Sequence, residues 1–200
     1  SKNFLNINDL AKQTKTIVIF EEERITPKED AGSLSIFNFA KLFQSMGFKV
    51  IFMFKRGDIL DDSCKLMMEH GFQVIINPKI NNISHLKKLF SSNFIKPTIF
   101  YIARPNLFDE IFLKLKKSFK SVLFIYDTVD LHFLRMQRQL KIDNNFAISL
   151  NELKKIETIE INNIINSDLA IIRSEFESKF LKENFSIKKE NILNLSLLYD

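Results

Sequence analysis

Glycine is scarce in this chain. Its 200 residues include only four, Gly32, Gly47, Gly57 and Gly71, no two closer than ten positions. That spacing excludes G-x-G-x-x-G and G-x-x-x-x-G-K-[ST], the turns that bring backbone amides against phosphate in dinucleotide-binding folds and P-loop enzymes. A single cysteine, Cys64, excludes an internal disulfide and any Cys-rich zinc module, and fits a reducing compartment. With His70 and His85 it forms no metal-ligand spacing, so no bound metal is expected. No run of 18 apolar residues exists to cross a membrane. Residues 1–15 are polar and lack the apolar core of a signal peptide. A cytoplasmic protein is expected. Tryptophan is absent while phenylalanine numbers 21, and Lys, Asn and Ile are frequent, a composition bias rather than a functional signal.

What is present is ordinary for a globular chain: 46% hydrophobic and 26% charged residues, which excludes disorder. The net charge of +5 is spread along the sequence, and no nucleic-acid motif accompanies it, so no nucleic-acid partner is expected. Lys114, Lys116, Lys117 and Lys120 form a basic helix end. It reads either as a solvated face or as a site of peripheral contact with an anionic inner-membrane surface.

Short apolar runs recur at 16–20, 48–54, 72–76, 98–102, 122–126, 168–172 and, weakly, 191–195. Most are continuously apolar and rich in β-branched or aromatic residues, the mark of strands buried on both faces of a parallel sheet. Amphipathic segments lie between them at 33–46, 59–70, 83–90, 107–119 and 150–166, the last with a stripe of Leu153, Ile156, Ile159, Ile164 and Ile165. The alternation predicts an α/β fold: an open, doubly wound, mostly parallel Rossmann-like sheet with helices on both faces. Gly47 and Gly71 read as helix-ending residues, and Ser174-x-x-Glu177 as a capping box opening a helix over 175–184. The expected organisation is an N-terminal extension at 1–15 and one Rossmann-like domain at 16–200. The stop at Leu197-Leu198-Tyr199-Asp200, just after a predicted strand, reads as the end of a fragment.

In open α/β sheets ligands bind beyond the carboxyl ends of the strands. The first such turn, 21–33, is long. Gly32-Ser33 at its end could present amides to an anion or hydroxyl, or Ser33 could simply be an N-cap. Glu21, Glu22 and Glu23 read as a solvated acidic stretch. After the fourth run, Arg104 could bind phosphate or carboxylate, with Asn106 or Asp109 capping the next helix. After the fifth run comes the densest polar cluster: Asp127, Asp130, His132, Arg135 and Arg138. Asp127 or Asp130 could accept a proton from a sugar hydroxyl, and either could orient His132. Arg135 and Arg138, three apart, would share one helix face suited to phosphate. The plainer alternative is an aspartate N-cap with exposed arginines.

The segment Asp30-Ala31-Gly32-Ser33, with the helix that follows ending Met46-Gly47-Phe48-Lys49-Val50, resembles the opening of family 4-like glycosyltransferases. Asp127-Thr128-Val129-Asp130-Leu131-His132-Phe133-Leu134-Arg135 resembles that group's Asp-Thr-Val-Asp-x-His-x-x-Arg stretch. Ser167-Asp168, a strand, then Ser174-Glu175 is similar to a later region of the same group. Phe48 departs from the group's usual His, and Glu21 from its usual Asp. The resemblance implies the N-terminal, acceptor-side half of a GT-B fold, with the C-terminal, nucleotide-sugar-binding domain absent from this chain. It implies a retaining, metal-independent transferase of polysaccharide biosynthesis that uses a nucleotide-sugar as co-substrate and no cofactor. The acceptor would be a cell-surface glycan or a lipid-linked molecule. Asp127, Asp130 and His132 would lie near the acceptor hydroxyl as the catalytic group. Asp30, Gly32, Ser33, Arg104 and Arg135 would contact substrate. The alternative is a non-catalytic module that binds glycan or pairs with a separate protein.

Overall fold

The computed structural model describes residues 15–76, 79–80, 82–91, 95–143, 146–185 and 187–196. The expected N-terminal extension, except Lys15, and the final 197–200 lie outside them. Seven strands form one sheet in the order β3-β2-β1-β4-β5-β6-β7. They are β1 (Thr16–Glu21), β2 (Lys49–Phe54), β3 (Gln73–Ile76), β4 (Pro97–Ala103), β5 (Leu123–Asp127), β6 (Leu169–Ile172) and β7 (Ile192–Asn194). The pairs β1–β2, β2–β3, β5–β6 and β6–β7 are parallel. The helices are α1 (Ala31–Ser45), α2 (Asp62–Glu69), α3 (Ile83–Ser91), α4 (Pro105–Ser118), α5 (His132–Ile142), α6 (Leu150–Asn166) and α7 (Glu175–Asn184). The expected α/β sheet is the one observed.

The chain divides into two compact units. The first takes its described residues from Ser1–Tyr101 and Ile111–Leu123, the second from Ile102–Glu110 and Phe124–Leu197. In the first, all six residues of β1 are buried, as a parallel strand covered on both faces requires. Phe20, Phe90, Phe100 and Phe119 pack with ring centroids 5.4–5.5 Å apart, largely edge to face. The hydroxyl of Thr98 donates to the Thr16 carbonyl at 2.8 Å, tying β4 to β1. Gly47 and Gly71 end α1 and α2 at φ +84° and +80°, where a side chain would be strained. Each closes the double hydrogen bond of a Schellman motif. Gly47 N–H reaches Gln44 O and Phe48 N–H reaches Phe43 O; Gly71 N–H reaches Met68 O and Phe72 N–H reaches Met67 O.

In the second unit β5 and β6 are joined at their start by Asp168, whose carboxylate accepts from the Phe124 amide at 2.8 Å. Ser174 caps α7 by accepting from the Glu177 amide at 3.1 Å, as the sequence pattern predicts. The face that α6 buries differs from the expected stripe. Leu153, Glu160, Ile161, Asn163 and Ile164 are buried, Ile156 and Ile159 only partly, and Ile165 is exposed. The buried face keeps Leu153 and Ile164 of that stripe but adds two polar residues whose partners lie far away in sequence, so apolar periodicity places it only in part.

Candidate functional site

β5 ends on Asp127, whose carboxylate is wholly buried. Arg173, the residue after β6, grips it. Nε donates to Oδ1 at 3.1 Å, and Nη2 donates to Oδ2. Oδ1 also accepts from the Val129 amide at 2.9 Å. Thr128 is held by β6, its hydroxyl donating to the Ile171 carbonyl at 3.0 Å. The Asp130 amide then donates back to the Thr128 carbonyl at 2.7 Å across Val129, whose φ is +60°. That bond across a residue at positive φ is the strained form of the γ-turn. A β-branched residue held there costs about 1–3 kcal/mol, so the surrounding bonds must impose it. Arg104 also takes a positive φ, +75°, between β4 and Pro105. Helix α4 opens at Pro105, with the Arg104 carbonyl accepting from Phe108 at 3.2 Å, and neither Asn106 nor Asp109 serves as its first residue.

The strained turn delivers Asp130 and His132. Asp130 is partly exposed; Oδ2 lies 2.7 Å from Arg135 Nη1 and Oδ1 lies 3.5 Å from His132 Nε2. The other ring nitrogen, Nδ1, lies 2.9 Å from Oε1 of Glu160. Glu160 is wholly buried on α6 and also accepts from the His132 amide at 3.0 Å and the Phe133 amide at 3.0 Å. Leu131 holds the N-cap position of α5 with no side-chain cap bond. Neither Asp127 nor Asp130 caps this helix; a carboxylate from another helix does so, where the positive end of the α5 dipole favours it. Glu177 on α7 accepts from the Leu131 amide at 3.4 Å. Burial pushes its carboxyl above the usual glutamate range, opposed by the bonds from Leu131 and Ser174. Burial also pushes the Tyr126 phenol well up, with the Glu160 charge adding to it, so that hydroxyl stays protonated. Arg138 lies over the Phe176 ring at 4.7 Å.

In the first unit the turn after β1 is organised locally. Asp30 is the N-cap of α1, its Oδ1 accepting from the Ser33 amide at 2.8 Å and its Oδ2 from the Thr26 hydroxyl at 3.1 Å. Ser33 is therefore not the cap, and its amide is already engaged; its side chain is buried. Gly32 is the second residue of the helix and half-buried. The acidic stretch divides. Glu21, at the end of β1 opposite Phe54, is buried, because the strand carries it inward. Glu22 and Glu23 pair with Arg56 at 3.5 and 3.1 Å, and Arg24 pairs with Asp61. Cys64 is a buried thiol raised by burial. Among the described residues no group of three His, Cys, Asp or Glu could hold a metal ion.

The structure thus gathers Asp127, Asp130, His132 and Arg135 into one bonded turn, and holds Asp30, Gly32 and Ser33 in a separate, local one. Sequence reasoning missed Glu160 and Arg173, and read Glu177 only as a capping-box residue, not as a partner of the Leu131 amide. The signal for Glu160 was a charged residue placed among buried positions of an amphipathic helix. Chemically, the β5 turn offers two half-covered polar groups, the Asp130 carboxylate and the His132 imidazole, beside a guanidinium. Such a set can hold a hydroxyl and a neighbouring negative charge.

No protein-family model matches this sequence, and no curated protein does. Solved structures do match in fold. A sucrose-phosphate synthase from Thermosynechococcus elongatus is similar at TM-score 0.57 and 13% identity, over 90% of this chain and 47% of that one. Anabaena HepE in complex with UDP is similar at TM-score 0.58 and 11% identity, over 94% and 45%. A glycosyltransferase from Rickettsia africae is similar at TM-score 0.52 and 14% identity, over 90% and 42%. The chain spans less than half the length of each of these three, and its fold resembles that of GT-B glycosyltransferases.

Proposed function

We propose that the chain is the acceptor-side domain of a retaining, family 4-like glycosyltransferase. It would move a sugar from a nucleotide-sugar to a cell-surface glycan or lipid-linked acceptor, and would be inactive without a second domain that binds the nucleotide-sugar. The GT-B-like fold supports the transferase class. The observation that carries the site is the β5 turn, where a strained backbone holds Asp130 and His132 side by side and partly open to solvent. In this reading Asp130 and His132 receive the acceptor hydroxyl. Asp127, bound by Arg173, braces the turn that aims them. Arg135 and Arg104 offer guanidinium groups to phosphate. In a front-face mechanism the donor's own phosphate takes the proton, and Asp130 positions the acceptor. No cofactor is required; the nucleotide-sugar is a co-substrate. Work at the cytoplasmic face of a membrane fits a lipid-linked acceptor.

The test is a panel of oligosaccharides and nucleotide-sugars titrated into the isotopically labelled chain. Saccharides should shift the amides of Val129 to His132, and Asp130→Asn should abolish the shift. In the natural gene product His132→Ala should slow sugar transfer by about 10²-fold, the scale of loss when a reacting group is misplaced. Full turnover in both variants, with normal folding, would refute the assignment. Saccharide binding without turnover would favour the glycan-binding module instead.

A further inference from the structure

Glu160 does more than cap a helix. Its carboxylate is wholly buried, yet each of its three described contacts is a donor from one short segment: the amides of His132 and Phe133 and the ring nitrogen Nδ1 of His132. An ionised carboxylate can only accept, so the ring nitrogen facing it at 2.9 Å must carry a proton. The other nitrogen, Nε2, is turned to Asp130, 3.5 Å from Oδ1. From α6 the same imidazole is thus gripped at Nδ1, while Nε2 faces the Asp130 carboxylate.

We propose that Glu160 is the positioning residue of this site: it holds the His132 ring through a proton on Nδ1 and so keeps Nε2 turned toward Asp130. The ring cannot flip without putting a carbon where Nδ1 stands and stripping Glu160 of a hydrogen bond in a buried place, where a lost partner is costly. The two amide bonds set the position of the carboxylate, and the carboxylate sets the ring. The charged groups facing His132 are Glu160 from α6 and Asp130 from its own turn. Arg135 reaches it through Asp130, and Glu177 from α7 through the Leu131 amide. The inference rests on the transferase reading only for what Nε2 does, not for how it is held.

Nitrogen-15 NMR of the imidazole in the full chain, recorded at a pH where the spectrum shows a neutral ring, reads the tautomer directly. In the wild type the one-bond proton coupling should fall on Nδ1. In Glu160→Ala that coupling should be lost from Nδ1 and the Nε2–H form should appear. In Glu160→Gln, whose amide oxygen can still accept from Nδ1, it should be retained at least in part. A wild-type proton on Nε2 overturns the proposal, even if the alanine variant fails to fold. So does an unchanged tautomer in a folded Glu160→Ala. In the natural gene product, a folded Glu160 variant with altered tautomer should lose about 10–100-fold in kcat with KM little changed, the range seen when the outer partner of a metal-bound histidine is removed. Altered tautomer with undiminished kcat would leave Glu160 as assigned and remove His132 from the chemistry, which separates the two readings.

Discussion

Two turns at strand ends, one in each unit, are held in opposite ways. The turn that opens α1 is self-sufficient: Asp30 caps its own helix through an amide three residues on, and Thr26 supports it from four residues back. The turn that opens α5 has no local cap. Its amides go to Glu160, 28 residues away, and its buried aspartate goes to Arg173, 46 residues away. A locally capped helix start is as firm as its own few residues. A remotely capped one is coupled to the folding of the unit around it, which is how a strained turn at Val129 can be imposed at all.

The largest expected effect follows from breaking the remote brace. Arg173→Met leaves the Asp127 carboxylate buried without its cation, and should destabilise the chain by about 3–5 kcal/mol in urea unfolding. Replacing both partners, Asp127→Val with Arg173→Met, should recover most of that loss, because two well-packed apolar residues leave no stranded charge. A single variant costing under about 1 kcal/mol would place this pair with weak surface bridges and dissolve the contrast between the turns.

The same contrast explains what could be read from sequence. The sheet was legible because its strands are continuous apolar runs, and Gly47, Gly71 and Ser174 marked helix ends because capping chemistry acts within a few residues. The cluster at Asp127–Arg135 was legible as a cluster. Its roles were not, because an aspartate that caps locally and one that is buried against a distant arginine look alike on paper. Glu160 and Asn163 were hidden by their helix. Asn163 donates to the Pro105 carbonyl at 2.8 Å, and both residues occupy positions that an apolar stripe would assign to the core. The Ile165 assignment failed for the same reason. Glu160 and Asn163 take buried positions with remote partners, while Leu153 and Ile164 keep the stripe's place in the core and Ile165 is left exposed.

Smaller effects sharpen the comparison. Asp30→Ala removes only a local cap and should cost about 1 kcal/mol, within the range of 0.5–2 for such caps, while Asp30→Asn should cost little. Val129→Gly should be stabilising by about 1 kcal/mol in urea unfolding, because relief of left-handed backbone outweighs the extra chain entropy of glycine. A loss of stability in Val129→Gly would mean that the valine side chain, and not the surrounding bonds, holds the γ-turn.

The subtlest test uses pH at Glu177, which completes the remote cap through the Leu131 amide. Burial raises its carboxyl above the ordinary glutamate value, and nearby Asp130 raises it further, while the Leu131 and Ser174 bonds and the Arg138 charge pull it down. The folded chain therefore binds this proton more tightly than the unfolded one. The resulting stabilisation is fully present below the unfolded glutamate value and is lost as pH rises through the raised native one. Glutamine mimics the protonated form at every pH. Glu177→Gln should then match the wild type in urea unfolding near about pH 4 and exceed it near about pH 8, on either side of the shifted titration. A difference that stays constant across that range would mean that the Leu131 bond, not burial, governs this carboxyl. The remote cap would then be as ordinary in its energetics as the local one at Asp30.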